Sequence, residues 1–152
     1  AVAALRRGFD ATVYTKDTSI PFIDSVRAKS KKEIITLSHQ EFMQDINRLG
    51  GTIKAGNFTD TDVMNEIRKG HIPLILLSSY RLYNKKEPHW AVISGFDDEH
   101  FYLHDPWIPK GLERADALHL PLKRKEFEKV SRFGKAKHRY MVVLSKRAAK
   151  KT

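Results

Sequence analysis

The sequence predicts a single α+β domain, with helices in its first half and an antiparallel sheet in its second. Three stretches carry that expectation. Residues 31–49 place apolar side chains at helical spacing and stop at Gly50-Gly51. Residues 72–77, IPLILL, are a short apolar run bounded by turn residues, the pattern of a central strand buried on both faces. Residues 89–105, HWAVISGFDDEHFYLHD, form two apolar and aromatic runs on either side of Gly95–Asp98, which is a β-hairpin signature. With 152 residues, 41% hydrophobic and 10% aromatic, the chain holds enough apolar material for one sizeable core.

The opening AVAALRRGF reads as the last turns of a helix with Gly8 at its C-terminal boundary. A domain that opens part-way through a helix is expected to be N-terminally truncated. Residues 11–16 (ATVYTK) follow as a short strand. Asp17 to Ser19 offer caps for a helix entered at Pro21, in which Phe22, Ile23 and Val26 fall at helical spacing. In the helix over 31–49 the apolar stripe is Ile34, Leu37, Phe42, Ile46 and Leu49, with His39 at its boundary.

Thr52 to Phe58 is a strand candidate. Thr59-Asp60-Thr61-Asp62 then caps a helix whose inner face is Val63, Met64 and Ile67, closed by Gly70. Ser78 and Ser79 end the apolar run without a G-x-S-x-G elbow, so they read as turn residues rather than nucleophiles. Residues 81–88 form a basic, polar loop delivering the chain to His89. Beyond Asp105, Pro106, Trp107 and Pro109 lead into a polar stretch through Asp116, a candidate flap. Leu118 to Leu122 reads as an edge strand that tolerates Pro121. Lys123 to Arg132 reads as a helix facing inward with Phe127 and Val130, and Tyr140 to Leu144 as a last strand.

Antiparallel pairing within residues 89–105 sets the start of the first run beside the end of the second, which makes His89 and Asp105 neighbours. An imidazole held by a carboxylate is the base-and-orienter part of a nucleophilic site, because the carboxylate fixes the tautomer and stabilises the imidazolium. The same residues also fit a plain hairpin whose end carries a His and an Asp. Tyr80, Tyr83 and Trp90 are candidate cleft-lining aromatics for substrate, or core residues flanking strands.

The chain has no cysteine, which excludes disulfides and thiolate metal sites. His71, His100, His104, His119 and His138 form no metal motif, although His100 and His104 would share a face of a strand. No metal and no cofactor is expected; no Walker loop or G-x-G-x-x-G supports a nucleotide. No apolar run approaches the roughly 18 residues of a membrane span, and no signal peptide opens the chain. The formal charge is +10, yet residues 1–122 hold 16 basic against 16 acidic side chains and residues 123–152 hold 12 against 2. The whole excess sits in the last thirty positions. It reads as a solvated basic end, since no nucleic-acid motif accompanies it, with an anionic partner as the alternative.

His89-Trp90 before an apolar strand, Gly95-Phe96-Asp97-Asp98, an aromatic strand and Asp105-Pro106 together resemble the second half of the papain-like cysteine peptidases related to the bacteriocin-processing, double-glycine-leader enzymes. The wider likeness, from ALRRGF through PLILLSSYRL to the RFG and the final strand, is to a C39-like subfamily sometimes fused to a GNAT-class acetyltransferase. The resemblance implies a papain-like fold and hydrolysis of peptide or amide bonds, with His89 as general base and Asp105 as its orienter. The family's nucleophilic Cys, and the Gln just before it, lie on an upstream helix that nothing in this chain matches. It therefore implies a peptidase domain over residues 1–146 lacking that helix, a basic tail over 147–152, a peptide or protein substrate, a cytoplasmic location and an upstream segment that completes the site. The chain alone is then expected to be inactive, with His89 on an open groove and Val2, Leu5 and Trp90 incompletely buried. An inactive peptidase-like domain that binds a peptide or anionic partner is the alternative.

Overall fold

The computed structural model describes residues 1–78, 80, 84, 87–108, 110–134 and 136–147. Among these, four α-helices accompany one mixed sheet of seven strands. In chain order the elements are α1 (Val2–Arg6), β1 (Phe9–Thr15), α2 (Lys29–Arg48), β2 (Thr52–Ala55), α3 (Asp60–Arg68), β3 (Ile72–Ser78), β4 (Pro88–Phe96), β5 (His100–His104), β6 (Leu120–Lys123), α4 (Arg124–Val130) and β7 (Tyr140–Lys146). The strands lie in the order β2-β1-β7-β3-β4-β5-β6. The fold class is α+β, but the sheet is neither confined to the second half nor wholly antiparallel. β1 and β2 join it from the first half, and they pair in parallel because α2 carries the chain back between them.

Side chains alternate along each strand, so the sheet has two unlike faces. The first is covered by α3 and α4 and holds the main core: Ile75 and Leu77 of β3, Ala91 and Ile93 of β4, Phe101 and Leu103 of β5, Met141 and Val143 of β7, closed by Phe58, Val63 and Phe127. A capping box fixes the start of α3, where the Asp62 amide donates to Thr59 Oγ1 and the Thr59 amide to the Asp62 carboxylate. On the second face α1 and the C-terminal end of α2 pack Val2, Leu5 and Ile46 onto Ala11. Val2 and Leu5 are thus buried, contrary to the expectation of an uncovered N-terminal edge.

Pro73 sits in β3 without cost to the ladder with β4. That pairing runs from Leu74 to Ser78 and begins one residue after the proline, so the missing N–H falls outside it. Between Ile93 and Gly95 the β4–β5 register shifts by one residue, a β-bulge at Ser94. Asp97 organises the hairpin loop: its carboxylate accepts the amides of Glu99 and His100 and the Tyr102 hydroxyl.

Two helical expectations need correction. The helix foreseen around Phe22 is a single 3₁₀ turn, Ile23–Ser25, preceded by Phe22 in the left-handed region at φ 65°. Phe22 instead stacks edge-to-face on Phe133, with ring centroids 5.1 Å apart. In α2 only Ile46 of the foreseen stripe is buried, while Ile34, Leu37 and Phe42 are exposed. β2 also ends at Ala55, and Phe58 enters the core from the loop beyond it. No helix among the described residues is long and apolar enough to cross a membrane.

Candidate functional site

His89 is the second residue of β4, and Asp105 directly follows β5. The β4–β5 ladder pairs Val92 with His104. Continued by one step, that register sets Asp105 across from Ala91, so His89 is its diagonal neighbour on the first face. The ring reaches the carboxylate: His89 Nε2 lies 2.7 Å from Asp105 Oδ1, with the Asp105 side chain 1% exposed and that of His89 15%.

Backbone groups hold the acid from both sides. The Trp107 amide donates to the same Oδ1 at 2.8 Å, an Asx turn, and the Asp105 amide donates to the Ala117 carbonyl at 2.9 Å. A carboxylate this deeply buried must be met by hydrogen-bond donors, and the neutral imidazole provides one when it carries its proton on Nε2. Nδ1 is then the basic nitrogen. The arrangement can take up and return a proton at a fixed position, which is base chemistry steered by a carboxylate.

The register does not gather every candidate. Trp90 pairs with Leu76 and projects from the second face, away from the imidazole, where it is 39% exposed. Ser78, paired with Pro88, also belongs to that second face, so its hydroxyl is not directed to His89's side of the sheet. Tyr80 is exposed, and its carbonyl accepts the Asn84 amide. Ser79, Tyr83, Pro109, most of the loop before Pro88 and residues 148–152 of the basic tail lie outside the described residues.

His104 and His119 meet with perpendicular rings, His104 Nε2 3.4 Å from His119 Nδ1, across the β5–β6 connection. His119 has a positive φ of 55°, which no local pattern announces. Among the described residues no group of three or more His, Asp or Glu side chains could hold a metal ion. The holders of Asp105, the Trp107 amide and the Ala117 carbonyl, were also unforeseen. The signal for the first was present in Asp-Pro, a turn-initiating pair.

A model of the Peptidase_C39 like family matches residues 1–145. The chain belongs to that family. Neither the curated proteins nor the solved structures contain a match to it. The family match extends over both faces of the sheet rather than over the hairpin alone.

Proposed function

We propose that this chain is the base-bearing part of a papain-like cysteine peptidase, allied to the bacteriocin-processing enzymes and their GNAT-fused relatives. The observation that carries the reading is the 2.7 Å contact between His89 Nε2 and a buried Asp105. His89 is the general base and acid, and Asp105 holds its tautomer. The nucleophile is a cysteine supplied by a segment upstream of Ala1. Its thiol proton passes to His89 Nδ1 as sulfur bonds to the substrate carbonyl carbon. The same proton then goes to the leaving amine as the C–N bond breaks, leaving a thioester. Water, deprotonated by His89, cleaves the thioester and returns the thiol.

The substrate is a peptide or protein whose approach the exposed Tyr80 borders, while Trp90, on the far face of the sheet, does not meet it there. A free thiolate nucleophile suits the reducing cytoplasm, where we place the protein. The chain alone hydrolyses nothing, because it lacks both the attacking group and the oxyanion donors of the missing segment. One such donor is worth about 2.7–4 kcal/mol of barrier.

The test compares this chain with one extended upstream, using a thiol-reactive probe and a peptide-cleavage assay. Labelling and cleavage should appear only in the extended chain and vanish there on His89→Ala. Robust cleavage by the chain alone would overturn the assignment. The basic excess over residues 123–152 favours a second reading, an inactive domain that holds an anionic partner. An extended chain with no cysteine upstream would select it.

A further inference from the structure

The second face of the sheet carries a pocket of about 720 Å³ at the far end of β3 from His89. His89 pairs with Leu77, whereas the pocket reaches Ile72, five residues back along β3 or about 16 Å at strand rise. Ile72 and Leu77 also point to opposite faces. The pocket is therefore separate from the peptidase site, and its ligand is independent of any peptidase chemistry.

Its floor is apolar. Phe9 and Ile72 are 43% and 52% exposed there, beside Leu144. Clustered exposed apolar surface of this kind marks a binding site more often than isolated surface residues do. Its rim is cationic: Arg7, Lys69 and Lys146 line it with His71, and no acidic side chain does so among the described residues.

Two rim groups are fixed by one buried acid. Glu66 accepts from Lys69 Nζ at 2.9 Å and from the Tyr14 hydroxyl at 3.2 Å, and its other oxygen lies 2.7 Å from His71 Nδ1. Burial alone pushes the Glu66 carboxyl up, but the hydrogen bonds from His71 and Lys69 and the charge of Lys69 outweigh it, and its pKa is lowered. With Nδ1 committed to Glu66, Nε2 is the His71 nitrogen that a ligand meets. The volume falls within the range of small-molecule sites, about 300–1,000 Å³.

We propose that this pocket binds an anionic amphiphile, its alkyl chain on Phe9, Ile72 and Leu144 and its carboxylate or phosphate head among Arg7, Lys69, His71 and Lys146. The full chain is titrated with octanoate, octyl phosphate and 1-octanol, following amide chemical shifts. At least one anion should bind saturably, shifting residues 69–72 and 144–146, and 1-octanol should bind at least about tenfold more weakly, as charge-assisted head contacts require. The tighter anion identifies the head. Ile72→Glu should abolish binding; Lys146→Glu, at an exposed position, should weaken it by about tenfold or more and serves if the first variant does not fold. The proposal is overturned if octanol binds as tightly as both anions, if neither anion binds saturably below about 1 mM, or if folded variants bind like the parent.

Discussion

His89 Nε2 lies 2.7 Å from an Asp105 carboxylate that is 1% exposed, so the pair is part of the fold's stability. Asp105→Ala would take this acceptor from His89 and from the Trp107 amide. Each buried group deprived of its hydrogen bond costs about 1–3 kcal/mol. Urea unfolding should therefore show a loss in that range or above, with Asp105→Asn milder. An unchanged midpoint for Asp105→Ala would contradict the geometry of the pair.

Gly51 joins α2 to β2 where α1 crosses. A Cβ built there would sit 2.8 Å from Leu5 Cδ1 and Ile46 Cγ2 and 3.1 Å from the Ile46 carbonyl. Both side chains are buried and the carbonyl is backbone, so little can move aside. Gly51→Ala should destabilise the domain by about 1–3 kcal/mol, as overpacking does. A neutral result in thermal unfolding would mean that α1 is not seated as described.

Asp97 titrates well below the usual carboxylate range, at about 2, because the Tyr102 hydroxyl and then the amides of Glu99 and His100 stabilise its charged form. Since the folded value is depressed, its contribution is complete above the ordinary value of 3.8 and is lost as pH falls through that value towards 2. The pH dependence of stability over this window should be shallower in Asp97→Asn. Parallel stability curves for parent and variant would refute this.

Arg139 is 3% exposed; its Nη1 donates to Glu128 at 3.1 Å, and its guanidinium lies 4.4 Å from the Phe58 ring centroid. Its Nε and Nη2 are buried without a partner among the described residues. Desolvation of a charge often exceeds what its partners return. Arg139→Met, which leaves the half-exposed Glu128 to water, should be neutral or mildly stabilising. A loss above about 1 kcal/mol in calorimetry would show that the contact with Phe58 dominates.

The elements that the sequence disclosed are those decided locally. The Thr59–Asp62 cap, the apolar β3 and the hairpin each follow from spacing and turn chemistry within one contiguous stretch of fewer than twenty residues. What stayed hidden depends on distant partners. Phe22 leaves helical geometry for Phe133, over a hundred positions away, and no pattern near Phe22 encodes that ring. The stripe of α2 has sound periodicity, yet periodicity identifies an apolar face without saying what will cover it, and only its C-terminal end, Ile46 with Leu49, joins the cluster of α1 and β1. The proximity of His89 and Asp105 was legible for the same reason as the hairpin. The side to which Trp90 points is legible as well, because a residue adjacent to His89 in a strand takes the opposite face.

One supernumerary residue decides where the acid goes. The outer rungs of the hairpin pair Phe96 with Phe101 and Gly95 with Tyr102; counted on without interruption they would set Asp105 against Val92, on the side of Trp90. The slip at Ser94 turns that count into the one that delivers the carboxylate to His89. Deleting Ser94 would remove the slip together with the extra residue, leaving Ile93 across from Leu103, Gly95 across from Tyr102 and Asp105 still on the side of His89. A three-nucleotide loss at this codon would thus shorten the interval between base and orienter by one residue and keep the two together. The spacing between this histidine and this aspartate is therefore one residue longer than a regular ladder between them requires.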